Sequence, residues 1–170
     1  MTRSVCRSCG AIWLSEPAAL PIQRHDGACL RCDGQVEWES ENETTLRRYV
    51  DAVNGRDDDA MAATLDPEVI VYPAPRFAAI GRLSPATHGI PAAIDTFRTM
   101  KQCFPRWLYT LDWMEERPEG RLVCVGSRRL VDTDGHSETS AFYWAFEMRD
   151  GLLFELRSFE RPETLGRRTC

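Results

Sequence analysis

Apolar positions along the chain change their period near its middle. From Ser40 the pattern is helical: Ser40-Glu-Asn-Glu43 fits a capping box, and Leu46, Tyr49, Val50 and Val53 follow at three- and four-residue intervals as one stripe. Asn54-Gly55 ends that helix. Asp57-Asp58-Asp59 suits the positive end of a second, short helix that runs to about Leu65 and is stopped by Pro67. Val69-Ile-Val-Tyr72 reads as a short strand closed by Pro73 and Pro75. Residues 73–90 show no period and are expected to form a long, lid-like loop. Pro91 opens a third helix, with Ala93, Ile94, Phe97, Met100 and Phe104 on its buried face and Pro105 at its close.

Beyond Pro105 the period becomes two. Glu119-Gly120, Asp134-Gly135 and Asp150-Gly151 are evenly spaced turn signals, and the segments between them (107–117, 121–132, 137–149 and 152–160) are rich in β-branched and aromatic residues. They predict four long antiparallel strands in a meander. Alternation puts Trp107, Tyr109, Leu111 and Trp113 on one face; Phe142, Trp144, Phe146 and Met148 share a face, as do Leu152, Phe154 and Leu156. Strands of this length must twist and curl around the helices packed on them. The fold class expected is α+β: a cone-shaped, curved antiparallel sheet with three packed helices, preceded by a small N-terminal zinc ribbon. The boundaries expected are 1–38 for the ribbon, 39–161 for the cone and 162–170 for a loose polar tail.

The N-terminal segment has its own logic. Cys6-Arg-Ser-Cys9-Gly10 and Cys29-Leu-Arg-Cys32-Asp-Gly34 are two C-x2-C units separated by 19 residues. Each pair can present both sulfurs to one ion from a tight turn, and four thiolates complete a closed tetrahedral shell. The expectation is a structural Zn2+ held by Cys6, Cys9, Cys29 and Cys32, with two disulfides as the alternative. So small a segment cannot bury enough surface to fold alone, and metal binding supplies about 10 kcal/mol of folding free energy. Ile12-Trp13-Leu14 and Val36-Glu37-Trp38 are the strand-like pieces that follow the two knuckles. His25 reads as a surface residue. Cys103 and Cys124 read as buried thiols.

Charge narrows the partners. The 170-residue chain carries a formal net charge of −5. Within residues 1–38, Arg3, Arg7, Arg24 and Arg31 are balanced by Glu16, Asp26, Asp33 and Glu37. Both facts argue against nucleic acid as a partner and leave protein docking as the ribbon's alternative to a purely structural role. Twenty of the 21 basic residues are Arg, Lys101 being the exception, which points to coding bias. No apolar stretch approaches the roughly 18 residues of a membrane span, so no membrane association and a cytoplasmic location are expected.

The order helix, helix, short strand, helix, long meander resembles the SnoaL-like, or nuclear transport factor 2-like, superfamily. Residues 46–57 (LRRYVDAVNGRD), 89–94 (GIPAAI) and 146–157 (FEMRDGLLFELR) carry the likeness. The resemblance implies a cone with a deep apolar pocket, commonly in a homodimer, in a family that includes cyclases, isomerases, epoxide hydrolases and dehydratases as well as proteins that only bind. Tyr49 matches the helix-1 tyrosine of ketosteroid isomerases. Their base falls at Tyr72 and their second oxyanion acid near Trp144, so that proton transfer is not expected. Arg128 matches the arginine of the epoxide hydrolases, whose acidic partners fall at Leu130 and Ser158.

Two readings of function follow. One is an enzyme of cyclase, isomerase or dehydratase type acting on an apolar or aromatic small molecule, with Tyr49, Tyr72, His88 and Arg128 as its polar groups. Trp113, Phe142, Trp144, Phe146 and Ser158 would line the pocket. The other is a non-catalytic ligand-binding or protein-interaction module. Each candidate has a plainer alternative: a core tyrosine for Tyr49, an exposed loop histidine for His88, and for Arg128 a structural ion pair with Glu138 or Glu155.

Overall fold

The computed structural model describes residues 2–6, 12–15, 32, 36–38, 40–81, 83–117 and 120–159. It divides into two compact units, 1–44 and 45–170, with the division falling in the first turn of a helix that begins at Glu41. In the first unit, β1 (Thr2–Cys6) is the centre of a three-stranded antiparallel sheet. It is flanked by β2 (Ile12–Ser15) and β3 (Val36–Trp38), the two pieces expected to follow the cysteine knuckles. Cys6 ends β1, opposite Val36. Cys9, His25, Cys29 and the tail 162–170 lie outside the described residues.

The capping box forms at the head of α1 (Glu41–Gly55): Glu43 N donates to Ser40 Oγ and Ser40 N to Glu43 Oε2, each at 3.1 Å. α2 (Asp58–Ala62) is capped by the Asp57 carboxylate, which accepts from Ala60 N at 2.9 Å. β4 (Leu65–Tyr72) starts earlier than the apolar run Val69–Tyr72 suggests. It takes in Pro67 because the ladder with its neighbour shifts register between Leu65 and Ile70, where no N–H is required.

The long unstructured loop expected over 73–90 is not what the chain forms. It contains α3 (Pro75–Gly81) and a two-residue strand, β5 (Thr87–His88). Prolines that read as loop markers work here as a helix start, since Pro75 occupies the first turn, where an N–H would have no partner. The Ala74 carbonyl accepts from Phe77 N at 2.9 Å and Ala78 N at 3.0 Å. α4 (Gly89–Cys103) follows. Its C-terminal carbonyls are taken by Arg56, which donates to Lys101 O at 2.9 Å and Phe104 O at 3.1 Å.

The meander matches its turn signals: β6 (Arg106–Glu116), β7 (Arg121–Val131), β8 (Ser137–Arg149) and β9 (Leu152–Phe159). The six-stranded curved sheet runs β5-β4-β9-β8-β7-β6 and is antiparallel except for β4 against β9, which are parallel. Asp150 and Gly151 both adopt positive φ (50° and 75°), the requirement of a type I′ hairpin turn.

Two irregularities redirect side chains. A bulge between Leu111 and Trp113 shifts the β6–β7 ladder, so the stripe Trp107, Tyr109, Leu111 does not continue inward. Trp113 is 46% exposed and Met114 takes the buried place. A second shift between Glu147 and Met148 puts Leu153 in the core, while Phe154 lies under the Arg149 guanidinium at 3.6 Å. Gly126 on β7 lets the Thr110 carbonyl of β6 and the Phe142 ring of β8 approach its own backbone closely. A Cβ there would stand 2.1 Å from the Thr110 carbonyl oxygen and 2.5 Å from the Phe142 ring. Gly126→Ala is therefore expected to lower stability by about 3 kcal/mol, the upper part of the overpacking range, measured as a lower urea midpoint at unchanged slope.

Candidate functional site

The helices and the inner face of the larger sheet enclose a cavity in the second unit. It has about 560 Å³ of atom-free space counting its open mouth, of which about 60 Å³ can take the centre of a water molecule. Its body is apolar: Val53 from α1, Val71 from β4, Phe77 from α3, Phe97 and Met100 from α4, Trp107 from β6 and Trp144 from β8. Tyr49, Tyr109, Thr96, Arg128 and Ser158 are its polar side chains. Among the described residues, no carboxylate and no histidine lines it.

The end of α1 positions two of these side chains on β6. Trp107 Nε1 donates to Val53 O at 2.7 Å. Asn54, read in the sequence only as a helix terminator, spans the backbone of Tyr109: its Nδ2 donates to Tyr109 O at 2.8 Å and its Oδ1 accepts from Tyr109 N at 2.7 Å. Tyr49 is wedged edge-on among Phe97, Trp144 and Phe146, with centroids 6.0–6.2 Å away. Burial, with Tyr109 and Cys124 adding to it, pushes the Tyr49 phenol well above its ordinary range. Burial also raises that of Tyr109, against the opposing pull of Arg128. Both are hydrogen-bond donors at neutral pH and poor bases.

Arg128 is 6% exposed. Its Nε donates to Ser140 Oγ at 3.0 Å, its guanidinium lies 4.3 Å from the centre of the Phe77 ring, and it is electrostatically coupled to the Tyr109 phenol. The ion pair expected with Glu138 or Glu155 is not formed. The β7–β8 register sets Ser140 opposite Arg128 and Glu138 opposite Leu130. Glu138 accepts from both terminal nitrogens of Arg76, one at 2.6 Å, while Glu155 accepts from Arg157.

Of the residues singled out in the sequence, Tyr49, Arg128, Trp144 and Ser158 come together at the cavity. Tyr72 and His88 do not join them. Val71 turns toward the cavity, so on an alternating strand Tyr72 turns away, and it stacks against Arg157 at 4.0 Å. His88 is exposed, at the head of α4 opposite Ile70. Phe142 and Phe146 are wholly buried in the core beside Trp144 and do not line the space, and Trp113 faces outward beyond its bulge. Tyr109, Thr96 and the α3 wall are site residues not singled out from the sequence. Alternation with Trp107 placed Tyr109 on the right face, but nothing marked Phe77.

Of the four knuckle cysteines, Cys6 and Cys32 are described, the first buried and the second exposed; of the two thiols expected to be buried elsewhere, Cys124 is buried and Cys103 only half-buried. The Cys6 and Cys32 sulfurs are 3.4 Å apart, far beyond the about 2.05 Å of a disulfide bond. Two thiolates on one tetrahedral zinc stand about 3.8 Å apart, somewhat farther than this pair. Asp132, Asp134 and His136 cluster at the β7–β8 turn, where the Asp132 carboxylate accepts from Asp134 N and His136 N as a turn cap.

The raised phenols have a consequence at high pH. A phenol that stays protonated in the folded protein contributes stability that is full below the unfolded value of about 10 and is lost as pH rises through the folded value. Stability is expected to fall above pH 10, and Tyr49→Phe to make that fall shallower while changing stability at pH 7 by less than about 1 kcal/mol. Denaturant melts at pH 7 and pH 10.5 measure both.

The SnoaL-like domain profile matches residues 46–156. Among solved structures, a nuclear transport factor 2-like protein of unknown function from Burkholderia pseudomallei superposes with a TM-score of 0.66 at 24% identity, covering 72% of this chain and 92% of the other. A protein assigned as a SnoaL-like polyketide cyclase from Jannaschia sp. gives 0.60 at 20%, covering 71% and 85%. A Mycobacterium tuberculosis protein in complex with estradiol-17beta-hemisuccinate gives 0.62 at 14%, covering 74% and 97%. No curated protein matches the chain. These structures share its fold, and the match over most of the second unit shows that the chain belongs to the SnoaL-like domain family.

Proposed function

We propose that the protein binds a planar apolar or aromatic small molecule in the cavity of its SnoaL-like domain. One observation carries this reading: an aromatic-walled space entered by a few polar side chains from different elements, Tyr49, Tyr109, Thr96, Arg128 and Ser158. This is the usual composition of a small-molecule site. The steroid ester held by the M. tuberculosis neighbour supports the ligand class. Trp107 and Trp144 line the space. A planar aromatic ligand should therefore quench tryptophan emission and raise Tm by a few degrees. Trp144→Phe should remove much of the quench. A panel of planar aromatics that changes neither signal would overturn the reading.

A catalytic version, of cyclase, isomerase or dehydratase type, is favoured by the convergence of two phenol donors and a guanidinium on one cavity. That arrangement stabilises an oxyanion developing on a bound carbonyl. With no carboxylate or histidine in the described lining, the proton acceptor would come from water or the ligand itself. Mass spectrometry of the ligand before and after incubation distinguishes turnover from binding.

For the first unit we propose a structural Zn2+ held by Cys6, Cys9, Cys29 and Cys32, supported by the C-x2-C spacing and the approach of Cys6 to Cys32. Four thiolates close the coordination shell, so the ion would brace the fold and take no part in chemistry at the cavity. With the charges of residues 1–38 balanced, that segment suits a protein partner better than nucleic acid, and the family's habit suggests a homodimer. Native mass spectrometry is expected to show a dimer with one zinc per chain and Cys32→Ser to lose the metal. Wild-type protein lighter by four hydrogens, the mark of two disulfides, would overturn the metal site. No helix among the described residues is long and apolar enough to cross a membrane.

A further inference from the structure

Among the described residues lining the cavity Arg128 alone carries a formal charge, and no direct ion pair meets it, Glu138 attracting it only from beyond ion-pair distance. Among the described residues no carboxylate lies within ion-pair distance of it. It is joined to the Ser140 hydroxyl and the face of Phe77, with the Tyr109 phenol electrostatically coupled to it. Tyr109 does not supply a counter-charge, because burial keeps it a phenol. Glu138, the nearest candidate, is spanned by Arg76. Taking a guanidinium out of water without an anion is costly, and a stable core would more simply hold an apolar residue here. The neutral contacts do something else. Ser140 fixes Nε and Phe77 fixes the plane, so the guanidinium is held at the cavity surface as a rigid fork, a geometry that matches a planar oxyanion.

We propose that Arg128, braced by Ser140 and Phe77, is an anion subsite, and that the ligand is a planar aromatic acid whose ionised oxygens it receives. This rests on the ligand-binding reading above and narrows it. The aromatic body lies against Trp107 and Trp144, and the acidic head group, a carboxylate or an enolate of similar shape, meets the guanidinium. Arg128 is on this view a binding residue, and Ser140 a positioning residue that acts through it.

The test uses the full chain and two matched pairs of probes: benzoate with benzyl alcohol, and 2-naphthoate with 2-naphthalenemethanol. Calorimetry and tryptophan quenching report affinity. In the wild type at least one acid is expected to bind about tenfold or more tightly than its alcohol. Arg128→Met should abolish that preference while leaving the alcohol's affinity within about threefold, and Arg128→Lys should keep part of it. Equal binding of acid and alcohol, or a preference that survives Arg128→Met, overturns the anion subsite and leaves the cavity reading standing. Binding of none of the four probes overturns both. Should Arg128→Met fail to give a native near-ultraviolet spectrum, the wild-type comparison and the Arg128→Lys variant decide.

Discussion

β7 and β8 pair without a break from Arg121 opposite Glu147 to Val131 opposite Ser137, and that register organises the domain. Side chains alternate on a strand, so a slip of one residue would move every inward group to the outer face. The register held here aligns Leu122, Cys124 and Gly126 with Phe146, Trp144 and Phe142, setting small or aliphatic residues against large rings. The same register fixes the polar chemistry. Opposite Arg128 it places a serine, and it moves Glu138 along to the reach of Arg76 on α3. One hydrogen-bond ladder thus sets both the aromatic wall of the cavity and the absence of a carboxylate beside its charged group.

Much of the fold was legible in the sequence because its signals are local. A capping box, an Asn-Gly terminator and Asp-Gly turns each work through the backbone of a few residues, and the elements they delimit match the structure closely. What escaped depends on distant partners. Alternation correctly put Trp107 and Tyr109 on one face and then misdirected Trp113, because the bulge near Asp112 belongs to the fit of β6 against β7. Pro73 and Pro75 read as loop when Pro75 begins a helix. The candidate site was legible in the same partial way. Tyr49, Trp144, Ser158 and Arg128 reach one cavity, whereas Tyr72 leaves it through the alternation of β4. The lack of a carboxylate beside Arg128 could be seen only once the strands were paired.

The cysteine-rich unit shows the complementary case. Its chemistry is written in residue spacing, and the small sheet β2-β1-β3 follows from the strand-like pieces beside the knuckles. A three-stranded sheet of three to five residues per strand has little apolar surface of its own to bury, which is the physical ground for proposing a metal cross-link there.

The prolines around α3 bear on how firmly the cavity holds what enters it. Pro73, Ala74 and Phe77 form part of its wall, and Pro73 and Pro75 have fixed φ angles before the chain folds. Fewer unfolded conformations are lost when such a segment orders, so the wall is cheap to set in place. A wall already set has little freedom left to surrender when a guest arrives. Pre-organisation of this kind spends less of the contact energy on ordering the host, and a small cavity can then hold a small ligand more tightly than its area alone would suggest.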